Sequence, residues 1–157
     1  MKKNYSFQDA KAIILTLCDA AKAGQYDSRE SFMAMVQKNP FIAVQGYNAY
    51  GKVFFWNQAS VELYGYREDE AVNKDLFDLV IPEEMRKFAR DATLMARKTL
   101  KMPEPSPCDL THHEGHFITV FTGHLVFKWD DSSVPEFYCL DLPLITEQDE
   151  LEKATSL

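Results

Sequence analysis

The apolar pattern of this chain changes period twice, and those two changes leave few folds open to it. From Ser6 to Ala23 apolar residues recur at helical spacing (Ala10, Ile13, Ile14, Leu17, Ala21), with Ser6 placed to cap the helix and Gly24 to stop it. A second short helix, capped by Asp27 with Glu30 in a capping-box position, carries Phe32, Met35 and Val36. It must end near Asn39, because Pro40 disfavours helical geometry in the residue before it. There the period drops to two. Phe41 to Gln45 and Lys52 to Trp56 read as a strand hairpin around Gly46, Asn48 and Gly51.

Helical spacing then returns. Gln58 to Tyr64, closed by Gly65, and Arg67 to Asn73 read as short helices. Pro82 opens a longer helix with Glu83 and Glu84 in its first turn and an apolar face of Met85, Phe88, Ala92, Met95, Ala96 and Thr99. Three prolines between Met102 and Pro107 mark a linker. After it, Asp109 to His112, Phe117 to Trp129 and Glu136 to Leu142 read as a three-stranded meander. The expected fold is α+β: a five-stranded antiparallel sheet with flanking short helices, one longer helix and an N-terminal helical extension. The expected division is an extension over residues 1–38, a main domain over 39–148 and a charged tail over 149–157.

Composition narrows the function classes. A chain of 157 residues with eleven Phe and seven Tyr buries a sufficient core without disulfides or metal. Its net charge of -7, with no Lys/Arg stripe against the trend, argues against nucleic acid as a partner. Cys18, Cys108 and Cys139 are odd in number and widely spaced, which fits a reducing, cytoplasmic setting rather than a disulfide framework. The most apolar run, Ala12 to Leu17, is too short to span a bilayer, so no membrane is expected as a partner.

The segment GKVFFWNQASVELYGY (Gly51 to Tyr66) resembles the PAS family's pattern of a turn glycine, a strand ending in Asn, a small residue and a helix ending in Gly-Tyr. In this chain those positions are Gly51, Asn57, Ala59, Gly65 and Tyr66. REDEAVNKDLFDLVIPEEM resembles the family's passage into its long helix, HHEGHFITVFTGHLVF its final hairpin, and EFYCLDLPLITEQ its last strand and exit. The resemblance runs from about Asn39 to Gln148. One departure stands out: the family commonly ends its last strand with Asp, an aliphatic residue and Thr, whereas Asp141-Leu142 is followed here by Pro143. That proline is expected to interrupt a continuous strand-to-helix passage.

The resemblance implies a sensory or interaction module of signal transduction rather than an enzyme, with a cavity between the sheet and the long helix. It disfavours three cofactors. Haem-sensing members carry a histidine on the long helix, and Glu83 to Lys101 has none. The covalent flavin adduct and the thioester chromophore each need a central cysteine, and none lies between Cys18 and Cys108. The cofactor is otherwise unknown. Phe88, Met95, Phe121 and Cys139 are the candidate lining for a non-covalent small molecule. A filled core with no ligand, in an interaction-only domain, is the alternative. An enzyme on an α+β fold, the third reading, would need a cluster of titratable groups in the cavity, which the sequence does not show; no catalytic residue is assigned.

Two further features are weighed. Cys108, His112, His113 and His116 lie within nine residues, but alternation along a strand turns adjacent histidines to opposite faces, so a solvated turn is expected and no metal site is assigned. The stripe of Ile13, Ile14, Leu17 and Ala21 must be covered, either by the chain's own sheet or by the same helix of a second copy, and a homodimer is the expectation. A signalling protein is the other expected partner.

Overall fold

A computed structural model describes residues 3–155; the outer ends of the predicted extension and tail, residues 1–2 and 156–157, lie outside the described residues. The order is α1 (Phe7–Lys22), α2 (Arg29–Lys38), β1 (Ala43–Tyr47), β2 (Val53–Trp56), α3 (Gln58–Tyr64), α4 (Glu68–Ala71), α5 (Leu76–Val80), α6 (Glu83–Thr99), β3 (Ser106–Thr111), β4 (Phe117–Phe127), β5 (Glu136–Pro143) and α7 (Glu147–Thr155). The five strands form one antiparallel sheet in the order β2-β1-β5-β4-β3, so the last strand is inserted in the middle. The expected α+β fold is the one observed.

Both faces of this sheet are covered. On the inner face α3 to α6 pack over Ala43, Tyr47, Val53, Trp56, Val120 and Phe137. On the outer face α1 and α2 cover Val44, Phe121, Leu125, Tyr138, Leu140 and Leu142. The central strands β1 and β5 are consequently buried at nearly every position, without the alternation of a half-solvated strand. Alternation survives only as a choice of face. Phe137, Cys139 and Asp141 of β5 face inward, and Tyr138, Leu140 and Leu142 face outward.

Named side chains set the joints. Asn57 accepts from Ser60 N (3.1 Å) as the cap of α3, accepts from Val44 N (2.9 Å), and donates to Ile42 O (2.8 Å), so one side chain starts a helix and ties it to β1. Gly65 ends α3 at φ +80, and a Cβ there would meet the His112 ring at 2.5 Å. Arg29 of α2 pairs with the nearly buried Glu136 of β5, which also accepts from Trp129 Nε1 (3.0 Å) and Tyr138 OH (2.7 Å).

Several boundaries differ from the sequence expectation. The cap of α2 is Ser28, which exchanges hydrogen bonds with Ser31, and not Asp27 with Glu30. The hairpin's first strand lies two residues later than predicted, because Ile42 closes a turn onto Asn39. Helix α5 was not anticipated; five residues are too few to display a helical period. The predicted linker contributes Ser106 and Pro107 to β3, an edge strand where proline is tolerated. Strand β5 runs one residue further than predicted and ends at Pro143, three residues short of α7. The Pro143 carbonyl accepts from Tyr5 N (2.8 Å), and Thr146 caps α7.

A cavity between the sheet and helix α6

Helix α6 turns small residues to the sheet. Ala89, Ala92, Thr93 and Ala96 form its inner side, and a hollow of about 180 Å³ is left between them and β1, β4 and β5. Phe77 and Val80 of α5 close one end, and Met85 and Phe88 stand at the mouth. The expected apolar face of α6 therefore splits. Met85, Phe88 and Met95 point outward, with Phe88 64% and Met95 63% exposed.

The four candidate lining residues separate accordingly. Cys139 and Phe88 border the cavity. Met95 does not: it lies on the solvent side of α6, one helical face away from Thr93 and Ala96. Phe121 does not either, because the period of two on β4 sends Val120, Thr122 and His124 inward and Phe121 outward against α1.

Sequence reasoning missed the polar floor of the cavity. Gln45 of β1, Thr122 and His124 of β4, and Cys139 and Asp141 of β5 all border it, with Cys108 and Asp109 of β3 to one side. Asp141 is fully buried, and Tyr64 OH donates to its Oδ2 at 2.6 Å. Its Oδ1 has no partner at hydrogen-bonding geometry. Burial raises its pKa to about 6, against the opposing pull of Thr122, Tyr64 and Gln45. Burial likewise pushes the Cys108 thiol up to about 12, and burial followed by the Asp141 charge raises Cys139 well above the thiol range. His124 keeps an edge in a neighbouring surface groove while its Nδ1 is buried without a partner, and burial lowers its pKa. The readable signal was Asp141 itself, an ionisable residue inside an otherwise apolar strand.

The histidine-rich hairpin has other work. The His112 and His116 rings stack at 4.4 Å, His113 stacks on Tyr66 at 4.3 Å, and Glu114 N donates to His112 Nδ1 (3.0 Å). Among the described residues no three His, Cys, Asp or Glu side chains converge as a metal site. The α1 stripe is spent on the chain's own sheet. Ile14 is fully buried, and Ile13, Leu17 and Ala21 pack beside it on the outer face.

An antiparallel sheet with short helices and one longer helix over a small cavity defines a PAS-like α+β fold. Residues 35–100 match the family model described as the PAS fold, and the architecture is PAS-like, as the resemblance implied. It is similar to the PAS domain of a Colwellia psychrerythraea protein (16% identity, TM-score 0.58, 72% of this chain and 97% of that one). It is similar also to the PAS domain of Bordetella pertussis BvgS (15% identity, TM-score 0.60, 82% and 95%). A third, at 12% identity and TM-score 0.52 over 66% of this chain and 94% of that one, is the PAS domain of the Cronobacter turicensis quorum-sensing receptor RpfR in complex with C12:0. No curated protein matches the chain. Among the described residues no helix is long and apolar enough to cross a membrane.

Proposed function

We propose that this chain is a sensory module of signal transduction that binds a small molecule between the sheet and α6 and passes its occupancy to a partner. The observation that carries the reading is the inward row of small residues on α6, which leaves the hollow unfilled beside large residues that the same helix spends on solvent. A filled core would have placed Phe88 or Met95 inside. The RpfR domain in complex with C12:0 is a precedent for occupancy on this fold.

The reading is non-enzymatic, although the cavity holds titratable groups. They do not form a nucleophile and base pair: both thiols are held protonated, Cys139 Sγ donates to Tyr47 OH at 3.7 Å, and His124 Nδ1 meets neither. The three free cysteines support a cytoplasmic setting. Denaturing mass spectrometry of the purified protein, with thermal shift across a metabolite panel, tests the reading. Recovery of a stoichiometric ligand, absent from an Ala92→Phe variant, is expected. No ligand and no shift for any compound returns the domain to interaction alone.

Self-association belongs to the same reading, on α6 rather than α1. Met85, Phe88 and Met95 form an exposed apolar seam on its outer side, and Glu83 and Glu84 at one end of the helix lie opposite Arg97 and Lys98 at the other. Two copies packed antiparallel bring acid to base across a two-fold axis and cover the cavity mouth. Light scattering is expected to find a dimer that Phe88→Glu converts to monomer; a wild-type monomer removes this part of the proposal.

A further inference from the structure

Asp141 is a buried carboxylate with one oxygen that has no partner at hydrogen-bonding geometry, beside the Thr122 and Gln45 side chains that pull on it more loosely. It sits on the inner face of the central strand β5, opposite Ala43 on one side and Thr122 on the other. Tyr64 satisfies Oδ2, and Oδ1 has no partner. No lysine or arginine borders the cavity, and none of the ion pairs among the described residues includes Asp141. Buried carboxylates without a counter-charge are costly, and an unused acceptor oxygen in a native interior calls for a partner.

The surroundings state what kind of partner. From α3 comes the Tyr64 hydroxyl, from β1 Gln45 and the Tyr47 hydroxyl, from β3 Cys108 and Asp109, from β4 Thr122 and His124, and from β5 Cys139. Helices α5 and α6 present no titratable group to the hollow; their contribution is apolar, apart from the Thr93 hydroxyl that bonds its own helix at Ala89 O (2.8 Å). The second unpartnered polar atom, Nδ1 of His124, belongs to the residue one pleat repeat along β4 from Thr122, the cross-strand partner of Asp141. The cavity thus joins apolar walls to a floor with a lone carboxylate, and Asp109 adds negative charge at its side.

We propose that the cavity selects a small apolar molecule carrying a protonated amine, which donates to Asp141 Oδ1. The inference rests on the reading of the cavity as a ligand site and names the chemistry it recognises. An ammonium supplies both the missing donor and the missing counter-charge. A carboxylic acid of the same skeleton brings a second negative charge to the same floor and is disfavoured.

Three probes that share one aromatic skeleton decide it: 2-phenylethylamine, 2-phenylethanol and 3-phenylpropionate, titrated calorimetrically into the whole chain. Near neutral pH the amine is expected to bind on the order of tenfold tighter than the alcohol, with the acid weakest. Asp141→Asn, checked for folding by circular dichroism, is expected to erase the preference for the amine while retaining the alcohol. The amine's advantage is also expected to shrink as pH falls below about 6, where Asp141 holds its proton. Acid binding as tight as amine binding, or an unchanged preference in Asp141→Asn, overturns the amine assignment and leaves the cavity reading standing. Amine binding undiminished in Ala92→Phe places the site elsewhere and overturns both. If none of the three binds, the amine assignment is wrong, and ligand recovered or not recovered from the purified protein decides whether the cavity reading falls with it.

Discussion

A carboxyl group with no cation beside it titrates unlike one at the surface, and Asp141 shows which way. Its folded-state pKa of about 6 lies above the ordinary carboxylate range, so between about pH 4 and 6 the folded chain holds a proton that the unfolded chain has released. That contribution to stability is fully present at the acid end of the window and is lost as pH rises through it. Two pH units set an upper bound on the order of 3 kcal/mol. Asp141→Asn is therefore expected to raise stability near neutral pH by about 1–3 kcal/mol and to change little near pH 4, read as the difference between variant and wild-type urea curves. Equal curves at both pH values would mean that solvent reaches Asp141. Asn57 behaves oppositely. Its loss to Ala removes the α3 cap and leaves Val44 N and Ile42 O without their side-chain partner, at a cost of about 1–3 kcal/mol in the same measurement. The role of Asn57 as a cap was legible in the sequence because capping is local. Its bonds to β1, and the unpartnered oxygen of Asp141, depend on residues far away along the chain.

At the scale of elements, α1 and α6 divide the sheet between them by the size of the residues at each joint. Helix α1 lies on β4 where Gly123 leaves room: a Cβ there would come within 2.7 Å of both Cys18 Sγ and Ile14 Cγ2. Gly123→Ala is expected to lower the melting temperature by forcing this helix off the strand, at about 1–3 kcal/mol. An unchanged melting temperature would mean that α1 gives way freely. Helix α6 does the reverse and keeps its small residues over the hollow. Its length was readable from Pro82, the acidic first turn and the following apolar spacing, but its rotation was not. Met85, Phe88, Ala92, Met95 and the pair Ala92 and Ala96 make almost equally good inward stripes on a helical wheel, and large apolar residues win that choice by default. Packing against α5 reversed it.

Across the whole molecule the sheet is a middle layer. The N-terminal helices are as much a part of its covering as the central ones, since Ala10, Ile14, Phe32 and Val36 form one core with Phe121, Leu125, Leu140 and Leu142. Removal of residues 1–26 is expected to expose that face, to raise binding of a hydrophobic dye and to promote association of the chain. A truncated chain with wild-type stability and no dye binding would show that α1 adds nothing to the fold. The acidic surface, net -7, is expected to keep the intact chain in solution, with weakening of that effect as pH falls.

Local pattern determined the order of elements, the antiparallel hairpins, the α3 boundaries with Asn57 and Gly65, and the resemblance that led to the PAS fold, because periods, caps and turn residues act over a few positions. Tertiary structure alone decided which side of β4 and which side of α6 meet the cavity. With both sheet faces buried, the apolar alternation that normally marks the core side is absent, and only the insertion of β5 between β1 and β4 assigns inside and outside. The same insertion carries Asp141 to the floor of the hollow, opposite residues from the far end of the fold, where burial turns an ordinary carboxylate into the group that defines the site.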